Sequence, residues 1–350
     1  MDSPTQSENR IPPAVTPDEP RAPIWRRLAR STGRAYSWLD LLNEWKLTSR
    51  RPYTSSEPIS FPPDPTKLGH TRIQWPVSSP REGFKLFCPD LRVGFERFVP
   101  VTQIEIPQPY PGVAIFQVQV HDRTFEVAVD FRDYAEVIQQ EALERVAVYF
   151  KMQFSHAGYA DLGRDSGKLI PGGYVTSSSA TYSYIRSLRV HADKSVKPWE
   201  VYGRFGLRYS RETRERAIKI LQAQNQFRYH GGAGRVRYSR TLTEMCQAQV
   251  CIDLPGNGDF CMRLVDYFSI GACVVGPPHR TVFHVPLEQG KHVAHCKSDM
   301  SDLVAICSYY LENREAQETL VQNTRLYFDR FLHRDQLAAY YLQQILKVTG

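Results

Sequence analysis

Residues 250–275 read VCIDLPGNGDFCMRLVDYFSIGACVV, and they decide the fold. The first five are apolar apart from Asp253, the pattern of a strand buried on both faces of a parallel sheet. Pro255, Gly256, Asn257 and Gly258 make a turn, Asp259 opens a helix to Ile270, and Gly271 closes it. The chain then returns to an uncharged strand over 272–275. In the helix, Cys261, Val265 and Phe268 share the packing face, while Asp259, Arg263 and Asp266 share another. An Asp259–Arg263 ion pair on a solvated face is the plain alternative, but the segment is too apolar for an ordinary surface helix.

Ligands of an open parallel sheet lie beyond the carboxyl ends of its strands. There Gly256 and Gly258 expose backbone N–H groups at the positive end of a helix dipole. An arginine such as Arg263 suits a diphosphate, and a carboxylate such as Asp266 suits paired ribose hydroxyls.

The same alternation continues outward. Residues 199–202 form a strand entering a Gly203–Arg204–Phe205–Gly206 turn, and Ser210 starts a helix to about Ala223. A glycine loop follows at 230–234, and Thr241 with Glu244 has capping-box spacing. Arg204 and Arg208 offer fork-shaped donors to phosphate oxygens. Helices over 301–311, 315–331 and 335–347 close the chain. Upstream, strands are expected at 113–120, 124–130 and 146–150, and helices at 134–145 and 181–189. Residues 51–111 are proline-rich and read as irregular.

The run 258–275 resembles the donor-binding half of GT-B glycosyltransferases, and is especially similar to exostosin-like and spore-coat-type families. The segment before it is similar in order: Gly203–Arg204, then Gly231–Gly232, then Tyr238–Ser239 opening a helix. The resemblance covers roughly residues 199–332, and 335–347 resembles the helix that crosses back to the N-terminal domain. It implies an α/β, GT-B-like fold with two Rossmann-like domains facing a cleft, and glycosyl transfer from a nucleotide sugar. By the same resemblance Asp266 matches the acidic residue on the ribose, Arg204 reaches the diphosphate with Arg263 assisting, and Gly256, Asn257 and Gly258 face the donor. Gly258 stands eight residues before Asp266, where many retaining enzymes carry a first glutamate, so the stereochemical course is open.

For the acceptor, a general base is expected at the end of an N-terminal strand, with Asp130 and His156 as candidates. His279, in the loop after residues 274–275, is a candidate for donor phosphate or sugar. No Asp-x-Asp follows a strand, so metal-independent transfer is expected, with the nucleotide sugar as co-substrate and no further cofactor.

Composition sets the outer bounds. The chain has 350 residues, 42% hydrophobic and 23% charged, enough for two ordinary domains. No run approaches the ~18 apolar residues of a membrane span. Residues 1–23, with six prolines and no apolar core, read as a disordered tail and not as a secretory leader. Residues 24–72 read as a basic amphipathic helix (24–47, with Arg26, Arg27, Arg30 and Arg34) and a proline-rich linker. The expected units are then 73–197 for the acceptor, 198–332 for the donor nucleotide, and a crossover helix at 333–350.

The seven cysteines include no CxxC pair and sit mostly in apolar runs, so a reducing, cytoplasmic setting without structural zinc is expected. The net charge of +7 favours anionic partners. The expected partners are a nucleotide-sugar donor, an unspecified glycan, lipid or protein acceptor, and a membrane surface touched peripherally by 24–47. The competing reading is a catalytically silent glycosyltransferase-like protein that binds an anionic partner, nucleic acid or a membrane surface. Nucleic acid is not expected, since aromatic-interleaved basic modules are absent from the sequence.

Overall fold

The computed structural model describes residues 41–42, 52–77 and 82–349. The expected tail and nearly all of the basic 24–47 helix lie outside them. Two α/β units result.

The first is built on a six-stranded mixed sheet. Its strands are β1 (Thr71–Pro76), β2 (Val101–Ile104), β3 (Val113–Val120), β4 (Arg123–Asp130), β5 (Val148–Lys151) and β7 (Leu169–Pro171), ordered β2-β1-β3-β4-β5-β7. The β3–β4 hairpin is antiparallel at the centre, whereas β4, β5 and β7 run parallel. The region read as irregular therefore contains β1, helix α1 (Glu82–Phe95) and β2. Prolines mask these elements: Pro76 sits at the end of β1 and Pro89 lies within α1. Helix α2 is short, Gln140–Arg145, and the chain from 131 to 139 stays irregular where a longer helix was expected.

Helix α9 (Arg334–Val348) returns to this unit and packs on α1. The approach requires Gly94, since a Cβ there would lie 2.5 Å from the carbonyl oxygen of Arg334. Phe95, Phe116, Trp75, Phe150 and Tyr341 fill the space between, with Phe150 and Tyr341 stacked at 3.8 Å. Helix α9 thus ties the C-terminal stretch to the first unit.

The second unit is a five-stranded parallel sheet of β8 (Trp199–Phe205), β9 (Tyr229–Ala233), β10 (Ala248–Ile252), β11 (Cys273–Gly276) and β13 (Ala294–His295). Its order is β13-β11-β10-β8-β9. Helices α4 (Arg211–Ala223), α5 (Tyr238–Cys246), α6 (Met262–Ile270), α7 (Leu303–Glu312) and α8 (Arg314–Tyr327) cover it, while α3 (Ile185–Lys194) of the first unit packs on α5 and α6.

Two expectations are corrected here. Gly203 and Arg204 are not a turn but part of β8, in register with Gly231 and Gly232 of β9. These glycines serve strand-to-strand approach: a Cβ on Gly231 would fall 2.1 Å from the Gly203 carbonyl oxygen. Thr241 caps nothing, because α5 already begins at Tyr238 and the Thr241 hydroxyl donates back to the Arg237 carbonyl.

The units are joined by a two-stranded antiparallel bridge, β6 (Phe154–Ser155) with β12 (Thr281–Val282). Among the described residues no helix is long and apolar enough to cross a membrane.

Candidate functional site

From β8 the chain moves outward to β9; from β9 it returns past β8 to β10 and continues to β11. The direction reverses between β8 and β10, so the loops leaving their carboxyl ends part and open a crevice. Those loops are 206–210 and 253–261.

Two arginines lie under the crevice, Arg214 buried and Arg263 partly buried. Arg214 of α4 donates from Nε to the Pro255 carbonyl at 2.9 Å and from Nη1 to the Gly206 carbonyl at 2.5 Å, tying both loops together. Arg263 of α6 donates from Nη2 to Asp253 Oδ1 at 3.0 Å and to the Leu254 carbonyl at 2.7 Å. Its guanidinium lies 4.9 Å from the Phe205 ring centroid. Burial works against the Arg263 charge, and the Asp253 carboxylate outweighs it, holding that guanidinium above its ordinary range. Arg214 is pushed the other way, by burial and by the charge of Arg263.

His279 brings Nε2 to 3.6 Å from Asp253 Oδ2 and lines a cavity of about 20 Å³ with Asp253, Pro255, Asp259, Pro277 and Pro278. Arg263 is thus paired with the Asp253 carboxylate, whereas Arg214 is held by backbone carbonyls and has no carboxylate of its own. Arg208 and Arg235 are exposed at its rim, Arg235 Nε standing 3.5 Å from where a Cβ on Gly206 would be.

The 255–259 turn closes on itself, Gly256 N–H donating to the Gly258 carbonyl at 2.8 Å, and the Ser210 hydroxyl donates to the Gly256 carbonyl. Gly258 is where this turn meets the first unit: a Cβ would fall 2.4 Å from the Gln153 side chain. Asn257 Nδ2 donates to Asp133 Oδ2 at 3.1 Å across the same boundary. Helix α6 starts at Met262, later than expected, so Asp259 stands outside it and binds Arg280 instead of Arg263. On the far side of the turn a second pocket of about 70 Å³ opens between residues 133–136 and residues 257–259 and 280–281.

The structure brings Gly256, Asn257, Gly258, Arg263 and His279 to one crevice, with Arg208 at its edge. It does not bring Arg204 and Asp266 together. Arg204 is held by Glu244 of α5 at 3.0 and 3.2 Å, and the same carboxylate meets His230 at 3.2 Å. Asp266 is 1% exposed and accepts from Ser177 N–H at 3.0 Å, the Ser177 hydroxyl, and Tyr238 OH at 3.1 Å. Burial raises its pKa from 3.8 to about 6. Every partner of that carboxylate is a protein group, and the residue seals α6 against the 176–179 segment of the first unit.

Asp130 is fully buried and accepts from Arg132 N–H, Nε and Nη2, from Tyr149 OH at 2.6 Å and from Lys151 Nζ at 3.1 Å. Its lone pairs are occupied. His156 is exposed, with its backbone N–H on the Arg280 carbonyl at 2.9 Å beside the bridge. Among the described residues no group of three His, Cys, Asp or Glu side chains is placed to hold a metal ion.

Asp253, Arg214, Arg235 and Gln153 were not singled out from the sequence. Asp253 had a signal, being the single charge in the 250–254 run. Arg214 had none, because it sits in RETRER, a string that reads as solvated helix.

No protein-family model matches the chain, and no curated protein matches it significantly. Among solved structures it is similar to the crystal structure of Anabaena Alr3699/HepE in complex with UDP-glucose. That likeness covers 79% of this chain and 98% of the other, at 11% identity and a TM-score of 0.42. It is also similar to the crystal structure of the GtfA/B complex, over 70% of this chain and 65% of that one, at 11% identity and a TM-score of 0.34. Both likenesses concern the course of the chain, and no residue role is carried across from either.

Proposed function

We propose that this chain is a glycosyltransferase whose donor, a nucleotide-activated sugar, binds with its diphosphate over the crevice between β8 and β10. The observation that carries the reading is the pair of guanidiniums under the crevice loops, of which Arg263 is paired with Asp253 while Arg214 meets only backbone carbonyls and the Cys261 thiol. An anion placed above that floor gains the field of a buried cation without needing a metal. The exposed Arg208 and Arg235 supply further donors at the rim, and His279 faces the same space. The resemblance of run 258–275 to exostosin-like and spore-coat-type families supports a sugar nucleotide as that anion.

Transfer from such a donor breaks the bond between the anomeric carbon and the diphosphate oxygen and forms one to an acceptor hydroxyl. The hydroxyl proton needs a base. Of the two candidates, His156 is exposed, whereas Asp130 is buried and saturated by Arg132, Tyr149 and Lys151. His156 is the base in this proposal.

The test is calorimetric titration of the folded protein with UDP-, GDP- and TDP-linked sugars, alongside a donor-hydrolysis screen for free nucleoside diphosphate. Binding that weakens with salt and with Arg208→Ala supports the reading. Absence of binding by every nucleotide sugar sinks it. Binding to anionic vesicles alone supports the catalytically silent alternative.

A further inference from the structure

The second pocket lies across the 255–259 turn from the crevice, and Asp259 borders both cavities. Its floor is the β6–β12 bridge, which contributes the hydroxyl residues Ser155 and Thr281. Its chemistry is opposite to that of the crevice. Asp133, Glu136 and Asp259 line it against Arg280, three carboxylates to one cation, in a chain whose net charge is +7.

The carboxylates are not equivalent. Asp259 is held by Arg280, and Asp133 takes the Asn257 amide. Glu136 is exposed and makes no hydrogen bond or ion pair among the described residues. Beside it Tyr134, 50% exposed, lines the same pocket.

These features select a ligand class. An exposed aromatic side chain takes the C–H face of a ring, and its neighbouring carboxylates accept hydrogen bonds from hydroxyl groups. A net negative wall repels phosphate and sulfate, and so disfavours an anionic lipid surface or nucleic acid. An acyl chain needs continuous apolar lining, which a wall of Asp, Glu, Ser, Asn and Arg does not give.

We propose that this pocket is a subsite for a neutral carbohydrate, with a sugar ring on Tyr134 and ring hydroxyls on Glu136 and Asp133. Its identification as the acceptor subsite rests on the glycosyltransferase reading above; the carbohydrate class rests on the pocket alone.

The experiment is saturation-transfer NMR and calorimetry on the full chain with maltopentaose, cellopentaose and chitopentaose, with a sulfated oligosaccharide and phosphatidylglycerol vesicles as controls. At least one neutral oligosaccharide is expected to bind. Tyr134→Ala is expected to weaken that binding about tenfold, close to the upper end of one aromatic contact, and Tyr134→Phe to retain it. Glu136→Gln weakens it less, and nucleotide-sugar titrations stay unchanged in all three variants. Because both side chains are exposed, folding is checked by an unshifted thermal transition.

No binding of any neutral oligosaccharide, binding indifferent to Tyr134→Ala, or preference for the sulfated probe or vesicles each overturns the proposal. Nucleotide-sugar binding with any of those outcomes leaves the glycosyltransferase reading standing and removes this one. Neutral-oligosaccharide binding through Tyr134 without nucleotide-sugar binding does the reverse.

Discussion

Helix α6 carries two charged side chains, Arg263 partly buried and Asp266 fully buried, that look alike in the sequence and live in opposite surroundings. Arg263 is at the crevice, where a charged partner, Asp253, meets it at 3.0 Å. Asp266 is one turn further on, in the seam between the units, where Ser177 and Tyr238 meet it with neutral donors. A charge answered by a charge stays ionised in the interior, as Arg263 does. A carboxylate answered by hydroxyls and an amide is left to bear the cost of burial, and its proton is held more tightly. The comparison teaches that the first position keeps its charge matched at the edge of the crevice, whereas the second closes the protein on itself.

The comparison breaks most severely at Arg263. Arg263→Ala strands Asp253 without its cation, and a loss of about 3–5 kcal/mol is expected in denaturant unfolding. A loss no greater than that of an exposed arginine would mean that Asp253 is served by water or by His279 instead.

Next in size is the pH response of Asp266. Its native pKa of about 6 exceeds the ordinary 3.8, so the native state holds this proton to higher pH than the unfolded chain does. This group's contribution is therefore fully present below pH 3.8, declines as pH rises towards 6, and levels off above. By linkage the decline amounts to about 3 kcal/mol. Asp266→Asn removes it, so the stability difference between variant and wild type should grow in the variant's favour from pH 4 to pH 6.5. Parallel unfolding curves at both pH values would show that the carboxylate is ordinarily solvated.

Ser177→Ala removes one donor from the same carboxylate, at a cost of about 1–3 kcal/mol. If Asp266 seals the seam, nucleotide-sugar affinity is unchanged in that variant. A rise in affinity would instead make the 176–179 segment a competitor for that carboxylate, and the contrast between crevice and seam would fail.

The smallest structural effect is expected at the rim. Arg208→Ala should change stability by no more than about 0.5 kcal/mol. Its donor titration should nevertheless weaken, and more so at low salt than at high.

Legibility follows the range of the interactions. Strands β3, β4, β8, β10 and β11, and helices α4, α6, α8 and α9, announce themselves through runs and spacings within about a dozen residues. The parallel sheet, its glycine-capped α6 and the C-terminal helix were all readable. Elements carrying prolines were not: β1 and α1 are stabilised by packing on β3 and α9, and local propensity speaks against them.

The site divides in the same way. The glycine turn 256–258 and Arg263 are local signals, and the sequence by itself determined that they would stand at the carboxyl end of a buried strand. Only the tertiary structure decided which charges face each other. Arg214 reaches two loops because β8 and β10 are neighbours, Asp266 meets Ser177 across 89 positions, and Asp130 is enclosed by residues of the neighbouring strand β5 and a loop. Hydrophobic periodicity is a short-range property of the chain, whereas burial and charge pairing belong to contacts that folding alone creates.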